Sequence, residues 1–428
     1  MILRFAVLNH GCLRDEQVLS LIGSSRHRTE SFSVNVPQSK HAALTVASIY
    51  GANGSGKSTL LNALAFMRDA VINSYSASPE SPIPRRSFAL GASRDEQPSR
   101  YVLDFVTDAT RYQYGFEALN ARFAEEWLYS FSSGRRQVLF YRSTNGEQAQ
   151  FQFSSSLKGP NKTIERLTRP NSLFLSAAAR NNHEQLGAIF RFFLSQILVF
   201  DEERNPPPIE VIDDPARRVH LLELLAAADI GVIDARTVEV NEGTKELYRK
   251  FIEALREVMP GSPLSGQPPF DKEVKLGHKA AGGGVQYFPA FWESGGTRKL
   301  LALLGPVLQT LESGGVILVD ELDRSLHTLL SVRVLGLFTS SAMNRLGAQL
   351  IFSTHDTNLL CSKALHRDAI WFTEKSPDGS AVLYPLSDIR LEPNDNIEKG
   401  YLQGRFGAVP FLGRFDDILG TESVDGAH

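Results

Sequence analysis

Gly51-Ala52-Asn53-Gly54-Ser55-Gly56-Lys57-Ser58 is a complete G-x-x-x-x-G-K-[ST] phosphate-binding loop. Before it runs Thr45-Val46-Ala47-Ser48-Ile49-Tyr50, β-branched and aromatic like a buried strand. After it Leu60, Leu61, Leu64 and Met67 recur at helical spacing. A loop between strand and helix is the context the motif needs, so the chain is expected to bind a nucleoside triphosphate through Asn53, Gly54, Ser55, Gly56, Lys57, Ser58 and Thr59. The glycines let backbone N–H groups turn inward at a helix N-terminus as a concave anion site. Lys57 is placed to reach the β- and γ-phosphates, and the Ser58 hydroxyl to ligate Mg²⁺.

A second cluster narrows the chemistry. Val316-Ile317-Leu318-Val319-Asp320-Glu321 is an apolar strand ending in two carboxylates, and in open α/β sheets the chemistry lies beyond the C-terminal strand ends. Asp320 is expected to hold Mg²⁺ and Glu321 to polarise the attacking water. Upstream, Glu293-Ser294-Gly295-Gly296-Thr297 precedes an apolar helix, giving a second anion site at a helix start. One nucleotide does not need both.

This Ser294-Gly295-Gly296 turn resembles the signature motif of ATP-binding-cassette (ABC) ATPases, with Glu-Ser-Gly-Gly-Thr where the family usually has Leu-Ser-Gly-Gly-Gln. The resemblance implies that the signature of one subunit closes over the γ-phosphate held by another. Leu322-Asp323-Arg324-Ser325-Leu326 resembles the family's D-loop, and His355, at the end of Ile351-Phe352-Ser353-Thr354, its switch histidine. Lys57, Glu321 and His355 are then the expected catalytic residues. No Q-loop glutamine is assigned, although Gln97 and Gln113 lie in the plausible region.

At 428 residues and 42% hydrophobic content the chain has material for two or three domains. Met1 to His10 shows no charged segment leading into a long apolar core, and no stretch has the length of a membrane span, so a cytoplasmic location and no membrane partner are expected. Cys12 and Cys361 stand far apart, which suggests neither a disulfide framework nor a zinc site. A net charge of −3 makes no global case for nucleic acid and leaves a local basic patch open.

The expected fold class is α/β, an ABC-type ATPase head with a mixed sheet, an antiparallel β-subdomain and a helical insertion. The parts are residues 1–75 (N-terminal head with phosphate loop), 76–160 (β-rich), 161–285 (mainly helical insertion), 286–412 (C-terminal head) and 413–428 (tail, disordered after Gly420). Ser76 to Pro98 reads as an irregular surface excursion, Tyr101 to Tyr141 as an antiparallel meander, and Asn161 to Phe200 as helical. Further helices are expected around Leu221–Leu225 and Leu247–Val258, the latter ended by Pro260-Gly261.

The long stretch between Ser58 and Glu293 is similar to the soluble DNA-associated branch of the family, which includes chromosome-maintenance, recombination-repair and overcoming-lysogenization-defect proteins. Tyr112–Phe116, Glu125–Tyr129, Asn171–Ser176, Asp320–His327 and Tyr401–Pro410 resemble a group of ATPases from restriction-linked and abortive-infection phage-defence operons. That resemblance implies ATP and Mg²⁺ as cofactors, a homodimer or higher homo-oligomer, and an operon-encoded effector, nuclease or toxin, as partner. The sequence after His355 reads as too short for a fused nuclease, so none is expected on this chain. Three functions stay open: an ATP-gated dimerising switch, an ATP-binding scaffold with little turnover, and a DNA-repair or DNA-end-binding ATPase.

Other features take simpler readings. Arg85-Arg86, Arg135-Arg136 and Arg217-Arg218 are expected to be solvated pairs, Trp127 and Tyr129 core aromatics, and Gly282-Gly283-Gly284 a hairpin turn. The Gly404–Pro410 segment is expected to dock against the head or against a partner.

Overall fold

The structure, a computed structural model, describes residues 1–23, 32–37, 39–91, 96–132, 134–146, 148–201, 205, 207–258, 271–392 and 395–410. The helix end at Pro260-Gly261 and the tail from Phe411 lie outside them.

Strands β1 (Ile2–Leu8) and β2 (Gln17–Ser20) lead to a ribbon of β3 (Ser33–Asn35) and β4 (Ala42–Leu44). Then β5 (Val46–Gly51) runs through the phosphate loop into α1 (Lys57–Asn73). The expected meander follows as β6 (Ser99–Thr107), β7 (Thr110–Ala118), β8 (Phe123–Ser130), β9 (Gln137–Asn145) and β10 (Gln148–Phe153). With β1 and β2 it makes a seven-stranded sheet, order β10-β9-β8-β7-β6-β1-β2. Alternation puts Phe5, Phe105, Tyr114, Phe116 and Phe140 on its buried face. The 74–98 stretch between α1 and β6 is irregular among its described residues, but Ile83 and Phe88 are buried, so it is packed down on the head.

Next come α2 (Asn161–Leu167), α3 (Phe174–Arg180), α4 (Glu184–Arg191), a π-helical turn at Phe192–Gln196 and β11 (Ile197–Phe200). Elements α5 (Ile209–Asp213), α6 (Pro215–Ala227), β12 (Val232–Glu239), α7 (Glu242–Val258), β13 (Lys272–Lys279) and β14 (Val285–Pro289) follow. The last stretch holds α8 (Gly295–Ser313), β15 (Val316–Val319), α9 (Thr328–Thr339), β16 (Gln349–Ser353), β17 (Ile370–Lys375), β18 (Ala381–Pro385) and α10 (Ile397–Leu402).

A six-stranded mixed sheet, order β11-β15-β16-β5-β17-β18, is parallel except for its last strand. Two differences from the sequence reading arise here. Ile197 to Phe200 is a strand pairing with Val316 to Val319, so the 161–285 stretch is no single helical insertion but returns to the main sheet midway. A short apolar run flanked by helices carries no period that separates the two conformations. The same stretch also holds most of a three-stranded sheet, β12-β13-β14, whose β13–β14 turn is the expected Gly282–Gly284 hairpin, closed by the Ala280 N–H on the Gly284 carbonyl at 3.1 Å.

Two of the segments quoted above owe their composition to packing. The buried Glu126 carboxylate accepts the N–H groups of Phe174 (2.6 Å) and Leu175 (3.0 Å) and the Tyr114 hydroxyl (2.9 Å). Arg142, equally buried and 3.6 Å from Glu126, donates to the Ser172 and Arg169 carbonyls. Burial pushes the Glu126 carboxyl above its usual range, against the pull of Arg142. This polar rivet holds α3 on β8 and β9. Near the C-terminus, the Tyr384 hydroxyl donates to the Phe406 carbonyl (2.8 Å) and that of Tyr401 to Ala408 (3.1 Å). The Gly404–Pro410 segment therefore docks on the head, against β17 and β18.

Candidate nucleotide site

Three neighbouring parallel strands, β15, β16 and β5, bring the expected site residues to one rim. Gly51 closes β5, Asp320 and Glu321 follow β15, and His355 stands two residues past β16. The phosphate loop is pinned by Ser55, whose Oγ lies 2.6 Å from Thr373 Oγ1 on β17. Gly56 caps α1 at φ 112°, and a Cβ there would come 2.9 Å from the Ala381 methyl and 3.1 Å from Cys12 Sγ. Only glycine fits that conformation and that gap. Thr59 meets the same cysteine, Cys12 Sγ lying 3.3 Å from its hydroxyl. Asn53 and Gly54 are exposed at the loop tip, and Ser58 is half-buried at the start of α1.

Lys57 is 5% exposed, and its Nζ donates to the carbonyls of Gly51 (2.9 Å) and Ala52 (3.0 Å). Burial draws this ammonium below the ordinary lysine range, while Asp320, Glu321 and Asp323 pull the other way. The His355 ring is held below its usual range first by partial burial and then by Lys57, against the same three carboxylates. Lys57, Asp320, Glu321 and His355 thus share one electrostatic field. Its lysine-over-loop and paired-carboxylate chemistry suits a Mg²⁺-bound triphosphate, with Ser58 and Asp320 as the groups for the metal.

The carboxylate end is tightly braced. Glu321 has φ 49°, a left-handed backbone that is uncommon for a residue bearing a side chain. Its N–H donates to Ser353 Oγ at 2.8 Å, and that hydroxyl also donates to Asp320 Oδ1. From the other side, Lys299 Nζ donates to the Glu321 carbonyl at 2.7 Å. A cavity of about 650 Å³ opens beside Asp320 and Glu321, bordered by Asn62 of α1, Asp201 past β11, and Arg298 and Lys299 of α8.

Ser294 caps α8, its Oγ accepting the Thr297 N–H at 3.1 Å. Gly296 lies so close to the D-loop that a Cβ would stand 2.6 Å from the Ser325 carbonyl oxygen. Glu293, where the ABC signature has leucine, bonds His278 Nε2 of β13 at 2.8 Å, which links the three-stranded sheet to the signature turn. Neither His278 nor Lys299 was marked by any local pattern, because each acts through a contact distant in sequence. Gln113 bonds Asp104 on the seven-stranded sheet, and Gln97 lies in the loop before β6, its carbonyl accepting from Asn9 and Arg85.

The arginine pairs are mostly engaged within the chain. Arg85 is buried against Asn120, Gln97 and Ser99, which corrects the solvated reading for that residue. Arg217 pairs with Glu312 and Arg218 with Asp234.

A parallel strand that feeds a glycine loop and helix, one strand removed from a parallel strand followed by Asp-Glu, defines a P-loop nucleotide-binding protein. The chain belongs to the family described as "AAA domain, putative AbiEii toxin, Type IV TA system", whose model matches residues 46–362. No curated protein matches it. Among solved structures it is similar to an SmcHead bound to the C-winged helix domain of ScpA, at 15% identity and TM-score 0.40 over 90% of this chain and 96% of that one. A second is the Smc head domain with an extended coiled coil bound to the C-terminal domain of ScpA, derived from Pyrococcus furiosus, at 14% identity and TM-score 0.41 over 90% and 97%. Among the described residues no helix is long and apolar enough to cross a membrane.

Proposed function

We propose that the protein is an ATP-gated dimerising switch in antiviral defence, which hydrolyses ATP and controls a partner effector. The observation that supports this reading is that one chain carries two helix starts of the kind that suits an anion. One is the phosphate loop with Asp320, Glu321 and His355 on its rim, and the other is the Ser294-capped start of α8, where Gly296 packs close to the Ser325 backbone. Two copies would each supply Lys57, Ser58, Asp320, Glu321 and His355 to one Mg-ATP and Ser294, Gly295 and Gly296 to the other. The γ-phosphate then bridges both chains and ADP cannot, so nucleotide state shifts the association equilibrium.

The defence role rests on the family's description, which names a toxin of a type IV toxin–antitoxin system, and on the resemblance to restriction-linked and abortive-infection ATPases. The effector, a nuclease or toxin, is a separate chain in this reading. In this reading the head is built from residues 1–160 and 286–412 with α3 and β11 of the intervening 161–285 region, and the rest of that region reaches the turn at Ser294 through the bond from His278 to Glu293.

The deciding experiment is Glu321→Gln in the presence of ATP and Mg²⁺, followed by light scattering. The variant should retain ATP and accumulate as a dimer or larger species, with Lys57→Ala failing to do either. A Glu321→Gln protein that holds ATP yet stays monomeric rules the sandwich out. Phosphate release by the wild type separates the switch from a scaffold with little turnover.

A further inference from the structure

Lys299 is an ammonium only 2% exposed, one turn into α8 and flanked by the buried Leu300, Leu301 and Leu303. A charge so placed is costly unless its hydrogen bonds are specific. Its ammonium donates to a main-chain atom of the expected catalytic residue, the Glu321 carbonyl, at 2.7 Å. On the other side of the same residue, Ser353 Oγ accepts the Glu321 N–H at 2.8 Å. The peptide group before the Glu321 Cα is thus held by β16. The one after it is held by β16 through the Leu322 N–H on the Ser353 carbonyl (3.0 Å), and its oxygen is shared by the Arg324 N–H (3.0 Å) and Lys299, the contact that ties it to α8. Between the two groups the backbone is left-handed at φ 49°. Such a conformation persists where its surroundings over-determine it, and it sets the direction in which the side chain leaves the backbone.

We propose that Lys299 is a positioning residue for Glu321. It holds the carboxylate in the orientation that activates water, and it makes that orientation depend on the first turn of α8. This inference rests on the reading of Glu321 as the water-activating group. It deepens that reading by adding a link between the two sites of one chain. Ser294 and Gly296 begin the helix on which Lys299 sits, so a second copy's nucleotide docking on them acts on the same rigid turn that holds Glu321. Hydrolysis at a chain's own phosphate loop thereby senses whether its signature is engaged. Lys299 touches neither nucleotide nor water in this scheme.

The test uses the full chain with ATP and Mg²⁺. Lys299→Met keeps the length of the side chain and removes the donor; Lys299→Arg restores a cationic donor. Calorimetric ATP affinity, kcat and KM for phosphate release, the Hill coefficient of turnover and a thermal melt are measured for each. The expected result for Lys299→Met is an ATP affinity within about twofold of wild type and a kcat lower by about tenfold or more, the pattern of a lost transition-state interaction. Its Hill coefficient should fall towards one, and Lys299→Arg should recover a substantial part of the rate. If Lys299→Met does not fold, Lys299→Gln is read by the same criteria.

The proposal is overturned if the folded neutral variant keeps the wild-type kcat, if its rate and ATP affinity fall together, or if arginine rescues nothing. A wild type that releases no phosphate overturns both this inference and hydrolysis itself. A wild type that turns over without self-association removes the dimer but leaves the Lys299 rate comparison to stand by itself.

Discussion

The Asp323 carboxylate accepts the backbone N–H of His355, at 3.2 Å to one oxygen and 3.3 Å to the other. The segment after Glu321 and the one after β16 are thus joined within one chain. The same carboxylate raises the proton affinity of the His355 ring, opposing burial and Lys57, which lower it. Asp323→Asn keeps an oxygen for the N–H and removes the charge. The pKa of His355 then falls further, so the limb of the kcat–pH profile that belongs to this ring should move to lower pH. Asp323→Ala, which loses the bond as well, should reduce kcat by roughly tenfold with ATP affinity little changed. Steady-state phosphate release across pH, with ATP binding measured in parallel, reads both effects.

Gly296 gives a second test, because its neighbour is a carbonyl oxygen and not a flexible side-chain end. A methyl group 2.6 Å from the Ser325 oxygen forces the start of α8 away from the D-loop. Gly296→Ala is expected to lower stability by about 1–3 kcal/mol, the usual cost of overpacking. Its main effect should be weaker ATP-driven association in the Glu321→Gln background, followed by light scattering. Binding of ATP to the single chain should persist.

His10 sets a limit on acid stability. Burial, with Arg86 adding to it, holds its ring down to about 4, and Nδ1 lies 2.7 Å from the Tyr101 hydroxyl. The unfolded chain takes up a proton near its ordinary pKa of about 6.5, where the folded ring stays neutral. Its contribution is therefore intact above about pH 6.5 and is lost as pH falls towards 4, amounting to up to about 3 kcal/mol. Thermal melts from pH 7 to pH 4 should show this slope, and His10→Gln should remove its share of it.

The phosphate loop, the Asp320-Glu321 strand end and the histidine after β16 were legible because each is a short contiguous pattern with a chemical reason for its spacing. The meander was legible for the same reason, since one buried face enforces alternation. Strand β11 was not: Ile197-Leu198-Val199-Phe200 continues an apolar run begun on α4, and period alone does not tell a buried strand from a buried helix. Asn171–Ser176 stood out as a pattern, but its cause, the Glu126 carboxylate receiving the Phe174 and Leu175 N–H groups, lies more than forty residues away. The grip of Lys299 on Glu321 and the bond from His278 to Glu293 are likewise tertiary, and no local spacing announces them.

The strand that carries the phosphate loop lies between β16 and β17, both made from the last fifth of the molecule, and Ser48 bonds the Ala369 carbonyl across 321 residues. On a ribosome that strand has no lateral neighbours until synthesis is nearly over, since non-local pairing must await its partner. Nascent chains and truncated products that end before β16 therefore lack both strands that flank the phosphate loop, so the loop gains its sheet only when the chain is almost finished.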